Sequence, residues 1–349
     1  MEPYTLSTSE IFVNHQANRR SGHMGHAMVD AGNGRILDFY SNCDGELGDG
    51  HSGYGWMEYK ISEDYGKTFS DARVLPYSKK VFEEGAHTAL CEKAVCAPDG
   101  RIVLFFQITD ATGPISCEPW SEPTMIFSFD GGETYTDGLS TGMAKGRIYD
   151  AVCDGKSIYA LIEENDASGV DGFLGCKPEH VYKVYRSDDS GESWIPFVLP
   201  ISAIRKGYGA LGLYEDGALI AYAYDADREE EPEYSISYDR GVSWTEPKRA
   251  RTAKKIRNPQ LIRVDNQWFF VGRNGGAGDG LVMYHSNDGI SWDEGQMLDK
   301  RPGDEGCAYY SNMLRIREPG MPPRVLIQYS HVYDKNRVNI MHKVITVNE

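Results

Sequence analysis

The sequence predicts an all-β fold, a six-bladed β-propeller of four-stranded antiparallel blades. Three observations carry this expectation. A hydrophilic pattern, Ser-x-Asp-x-Gly-x-x-aromatic, recurs down the chain. Each copy follows a strand-like run, and each run follows an apolar hairpin with a tight turn. The pattern restarts every 48 to 66 residues, a period that suits propeller blades.

The elements follow in chain order. The first segment, "TLSTSEIFV", lies ahead of any hairpin. Residues about 4–14 are expected to supply the outer strand of the sixth blade and so close the ring. Five hairpins then follow: "AMVDAGNGRILDFY", "KAVCAPDGRIVLFF", "DAVCDGKSIYALI", "LGLYEDGALIAYAY" and "LIRVDNQWFFVG". Asn-Gly and Asp-Gly pairs favour two-residue turns. Third strands read from "WMEYKIS", "PTMIFSF", "HVYKVYRS", "EYSISYD" and "GLVMYHS", which are rich in β-branched and aromatic residues. The repeated pattern ends each of them: Ser62-Asp64-Gly66-Phe69, Ser128-Asp130-Gly132-Tyr135, Ser187-Asp189-Gly191-Trp194 and Ser237-Asp239-Gly241-Trp244. A degraded fifth copy reads His285-Asn287-Gly289-Trp292. Ser and Asp side chains cap backbone N–H groups in turns, and Gly supplies a positive φ. The sixth unit, "SNMLRIREPGMPPRVLIQYS", runs into "NRVNIMHKVI" without the pattern. With no amphipathic helix of useful length and no linker in view, residues 1–349 read as a single domain.

Bulk properties narrow the function classes. The 349 residues are 40% hydrophobic and 25% charged, with a net charge of −16. Such a surface argues against nucleic acid, which requires basic patches, and against anionic membranes. No apolar run approaches the roughly 20 residues of a membrane span, and "MEPYTLSTSEIF" has no signal-peptide pattern. Seven scattered cysteines, an odd number, fit reduced thiols and a cytoplasmic location. No cofactor or metal is expected, and the oligomeric state is not legible.

The repeated box resembles the Asp-box, or BNR repeat, of the sialidase superfamily. Four good copies and one degenerate copy span nearly the whole chain, and "GHAMVDAGNGRILDFY" looks like the opening of BNR-like proteins labelled exo-sialidases. The resemblance implies a sialidase-like propeller. The boxes are read as structural turns on one face, together with the Asp-Gly turns. Function is expected on the opposite face, which carries the long loops "SNCDGELGDGHSGYG", "ITDATGPISCEPWSE", "EENDASGVDGFLGCKPE" and "DADREEEPE".

The innermost strands begin on that face. Counting back from the tight turns places His26, Glu92, Arg147, Tyr208 or Gly209, Arg257 or Asn258, and Tyr310 around one axis. Burying so many polar groups is costly unless they are satisfied, so their convergence points to an oligosaccharide ligand. By resemblance, Tyr310 of "AYYSNML" is the nucleophile counterpart and Asp49 the acid/base, with Asp44 an alternative. Arg273 is the counterpart of the third arginine of a carboxylate-binding triad, and Arg228 a loose counterpart of the second. The first arginine is replaced by "HMGHA", and Tyr208 stands where a glutamate partner is expected. An incomplete triad argues against sialic acid itself, because bidentate guanidinium pairs carry carboxylate recognition. His23 and His26 fill the gap, with His26 a candidate acid or base. Their spacing on a strand disfavours a shared metal. Arg19 and Arg20 are candidates to swing in as replacements. Glu305, Asp304 and Glu92 are further carboxylates, and Trp120 is a candidate sugar-stacking side chain.

Two function classes follow. One is a glycoside hydrolase acting on small, acidic oligosaccharides, with a variant in which His26 serves a uronate lyase or hydrolase. The other is a non-catalytic propeller that binds a glycan or a protein.

Overall fold

The computed structural model describes residues 2–44, 54–85, 87–110, 121–166, 176–275, 279–300, 309–335 and 337–348. It is a six-bladed propeller of antiparallel sheets. The innermost strands are His26–Gly32, His87–Cys96, Gly146–Cys153, Lys206–Leu213, Arg257–Val264 and Ser311–Ile316. Each lies against the next, and the sixth lies against the first, so the ring is closed.

Blades one to five each add three strands outward in chain order. Blade six is assembled from both ends of the chain. Its third strand, Arg337–Val347, pairs with Tyr4–Leu6 and with Glu10–Val13. The last strand of the chain is therefore covered along its outer edge, which suppresses edge-to-edge association.

The apolar faces of the strands pack between neighbouring blades. Phe39, Leu104, Leu161 and Ala221 belong to one buried cluster that crosses blades one to four. Val271, Met283, Val325 and Ile327 form another between blades five and six. Strands buried on both faces explain the near-continuous apolar runs, such as "IVLFF".

The Ser/Asp turns have one repeated geometry. In blade two, Ser128 Oγ donates to Asp130 Oδ1 (2.9 Å) and accepts from Gly132 N (2.8 Å). Asp130 Oδ1 accepts from Glu133 N (3.0 Å) and Thr134 N (2.9 Å). Gly132 has φ +91°, and a Cβ there would sit 2.0 Å from Leu37 Cδ2 of blade one, so glycine is required. The turns also reach the preceding blade. Arg324, Arg35, Arg186 and Tyr214 donate to Tyr65 O, Gly131 O, Arg240 O and Asp288 O respectively, at 2.7–3.1 Å. The boxes thus fasten neighbouring blades together.

Two sequence expectations need correction. The fifth turn is built from Ser286 and Asp288, not from His285 and Asn287. Ser286 Oγ donates to Asp288 Oδ1 (2.8 Å) and accepts from Gly289 N (3.0 Å). The turn is one residue shorter between Asp and Gly, which displaced the reading by one position. A helix also exists, Pro76–Glu84, between blades one and two. Pro opens it, where a missing N–H costs nothing. Buried Ser78 in its first turn accepts from Met57 N and donates to Ala89 O, both at 2.9 Å. Its few buried positions gave no amphipathic pattern to detect. Among the described residues no helix is long and apolar enough to cross a membrane.

Candidate functional site

Four of the six innermost strands share one irregularity. Antiparallel pairing shifts at Glu92 in blade two, at Tyr149 in blade three and at Tyr208 in blade four, and between Arg257 and Gln260 in blade five. Bulges re-aim side chains that regular alternation would turn away from the axis, and they favour functional sites. Tyr208 and Asn258 adopt φ of +50° and +53°, a region that non-glycine residues enter at a cost.

The result is an axial cavity of about 40 Å³ lined by His26, Glu92, Arg147, Tyr149, Tyr208, Asn258 and Tyr310, among others. Its volume admits about one or two waters. At its centre the hydroxyls of Tyr208 and Tyr310 are hydrogen-bonded at 3.0 Å. Two guanidiniums flank this pair and a third lines the same cavity. Arg257 lies over Tyr208 (5.5 Å) and over Tyr224 (5.4 Å), Arg273 over Tyr310 (5.3 Å), and Arg147 over Tyr149 (5.4 Å). Arg147 also grips Glu92 through both carboxylate oxygens at 3.0 and 3.1 Å. Burial opposes the charge on Arg257, but the oxygens of Tyr208, Tyr224 and Tyr310 outweigh it and hold its pKa above the usual value. The edge of His23 meets the Tyr310 ring at 4.7 Å.

His26 is buried, with Nδ1 3.0 Å from Gln328 Oε1 and Nε2 3.1 Å from His23 O. Burial lowers its pKa to about 4, so it is neutral at physiological pH. Gln328 donates in turn to Asp38 and to Phe39 O (3.0 Å), and Asp38 meets His342 at 2.8 Å. The neutral imidazole has one N–H to donate to one of these two oxygens, and through Gln328 the ring sits in a network that ties blade one to blade six.

The other sequence candidates fall elsewhere. Asp49, Glu305, Asp304 and Trp120 lie outside the described residues. Asp44 accepts from Tyr54 N at 3.2 Å. Arg20 does not replace the missing arginine: it donates to Asn42 twice at 2.7 Å and stacks on Trp56. Arg19 is exposed at the end of a short 3-10 turn. Arg228 is exposed and faces Glu231 at 3.5 Å. Among the described residues no cluster of His, Cys, Asp and Glu is arranged to hold a metal.

Sequence reasoning missed the layer beneath the tyrosines. Lys93 Nζ lies 3.1 Å from Asp150 Oδ1 and donates to Asn312 Oδ1 (3.0 Å) and to Gln260. Asp150 also accepts from Leu211 N and Ala151 N, both at 2.8 Å. Asn312 donates to His26 O at 2.6 Å. All six blades thereby meet across the shaft. The signal was a lone Lys in "CEKAVC" and a lone Asp in "IYDAVC", charges inside strands that must bury them as a pair.

This architecture matches solved structures. A protein of unknown function from Dyadobacter fermentans superposes with a TM-score of 0.73 at 15% identity, with 100% of both chains covered. A Hadza microbial sialidase gives 0.68 at 15% identity, covering 96% of this chain and 68% of that one. The fold is that of the sialidases. The intramolecular trans-sialidase from Ruminococcus gnavus, solved with oseltamivir carboxylate, gives 0.65 at 12% identity and covers 97% of both chains. No family model matches the chain, and no curated protein matches it.

Proposed function

We propose that the sialidase-like propeller is a glycoside hydrolase acting on a small acidic oligosaccharide at the Tyr208–Tyr310 end of the shaft. The observation that carries this reading is the buried hydroxyl pair, 3.0 Å apart, set among Arg147, Arg257 and Arg273. Guanidiniums bind carboxylates in bidentate fashion, and they stabilise negative charge developing on a phenol oxygen. The small cavity admits only the reacting edge of a sugar, and the ring rests above it.

In this mechanism Tyr310 Oη attacks the anomeric carbon while the bond to the leaving oxygen breaks. Tyr208, reacting as the phenolate beside Arg257, takes the Tyr310 proton, and Asp49 in its acid form protonates the leaving group. Water then releases the sugar from Tyr310: Asp49 takes a proton from the attacking water and Tyr208 returns its proton to Tyr310. A tyrosine nucleophile is an established exception to the two-carboxylate scheme. His26 is left out of the chemistry because it is buried, neutral and enclosed by Gln328 and the His23 backbone. That argument also disfavours the lyase variant.

A second reading has its own support. The group bonded to the Tyr310 hydroxyl is another phenol and not a carboxylate, and a neutral phenol is no base for a nucleophile. The same pocket then binds an acidic glycan without turnover.

A panel of aryl glycosides and of sialylated and uronate-containing oligosaccharides, read by mass spectrometry, separates the two. The hydrolase reading expects turnover by the wild type, at least a hundredfold slower in Tyr310→Phe, with binding preserved. Binding without turnover of any panel member establishes the second reading. Full activity in Tyr310→Phe overturns the nucleophile assignment.

A further inference from the structure

Beneath the Lys93 layer the shaft opens again into a cavity of about 350 Å³, walled by the ends of all six innermost strands. Its position is on the face of the tight hairpin turns, opposite the tyrosines. The walls are mixed: Val29, Val95, Val152 and Leu213 supply an apolar part, and Arg263, Arg315 and Arg317 line it from blades five and six.

The charge balance there is inverted. Four cationic side chains, counting Lys93, and two carboxylates, Asp30 and Asp150, line this cavity in a chain of net charge −16. Lys93 and Asp150 neutralise one another. Arg263 pairs with Glu215 at 2.9 Å and Arg317 with Asp265 at 2.5 Å. Arg315 is different: among the described residues no carboxylate lies within 4.0 Å of it. The carboxylate on the same wall, Asp30, accepts from Gly32 N at 2.8 Å and is engaged with its own turn. With Arg263 and Arg317 occupied by Glu215 and Asp265, Arg315 is the guanidinium on this wall left to meet an incoming anion.

We propose that this lower cavity is a second binding site, for a small organic oxyanion whose charged group meets Arg315 and whose apolar body lies against the valine wall. The volume falls in the range of small-molecule sites, about 300–1,000 Å³. Guanidinium forks match carboxylate and phosphate alike, so the shared chemistry is an oxyanion. The Lys93 layer separates this site from the tyrosines, and the inference stands independently of the proposed hydrolysis.

Calorimetry on the full chain with benzoate and with inorganic phosphate, at constant ionic strength, tests it. Arg315 is exposed, so Arg315→Gln keeps the fold. The expected result is 1:1 binding by the wild type, weakened at least tenfold in Arg315→Gln and unchanged in Tyr310→Phe. Val152→Phe, which fills the wall, weakens benzoate more than phosphate. Benzoate binding identifies a carboxylate with an apolar body as the ligand, and binding of phosphate alone identifies a phosphate group. The proposal is overturned if neither anion binds at millimolar concentration. It is also overturned if affinity survives in Arg315→Gln, which would place the anion at the upper arginines.

Discussion

Lys93→Met is the most informative stability test, because it isolates one charge in the middle of the shaft. Lys93 and Asp150 are both buried and lie 3.1 Å apart. Removing the ammonium strands the Asp150 carboxylate, and breaking a buried pair from one side costs about 3–5 kcal/mol. Unfolding entropy scales at about 2.1 cal/mol/K per residue, so for 349 residues the loss corresponds to about 4–7 °C in Tm. The double variant Lys93→Met/Asp150→Leu removes both charges and regains most of that stability. A pH dependence follows from the same logic. Burial already raises the pKa of Asp150, with Lys93 opposing it, and loss of Lys93 raises it further. A carboxyl whose folded pKa is raised penalises the folded state above that pKa. The penalty vanishes below the unfolded value of about 3.9. The deficit of Lys93→Met therefore shrinks as pH falls from 8 towards 5. Differential scanning calorimetry of the wild type, single and double variants over that range reads the effect. A single variant within 1 °C of wild type, or a double variant no better than the single, refutes the reasoning.

Two further predictions concern the frame. Asp130→Ala removes an acceptor for two backbone N–H groups and should cost about 1–3 kcal/mol without altering glycan turnover or binding. The carboxyls of Asp64, Asp130 and Asp288 are held at about 2, mainly by hydrogen bonds to their own turns and, in Asp288, against burial. Their stabilisation is present above pH 4 and is lost as pH falls from 4 to 2, so Tm should drop over that interval more steeply in the wild type than in Asp130→Ala. Deleting residues 2–13 uncovers the edge of Arg337–Val347, and a lower Tm with concentration-dependent association in size-exclusion chromatography is expected. A monomer of unchanged Tm contradicts the closure.

The architecture was legible because it is written locally and repeatedly. Hairpin turns, alternating strands and Ser/Asp boxes each declare themselves within about ten residues, and their period sets the blade count. Where the local text was shortened, as at Ser286–Asp288, the reading slipped by one residue. A helix that buries only Tyr77 and Ser78 left no periodic trace. Much of the upper cavity was reached by the same route, since residues at equal distance from equivalent turns lie at equal height on the axis. That argument found Glu92, Arg147, Asn258 and Tyr310. It could not find Tyr149, because regular alternation does not anticipate a bulge.

The sequence alone determined the fold class and the level of the polar ring, because both depend on short-range periodicity. Only the tertiary structure decided which groups touch. Tyr208 and Tyr310 are 102 residues apart, Lys93 and Asn312 are 219 apart, and Arg315 has no ion-pair partner among the described residues. Such pairings are set by ring closure, which brings six distant strand ends to one axis, and no local pattern encodes the distance between them.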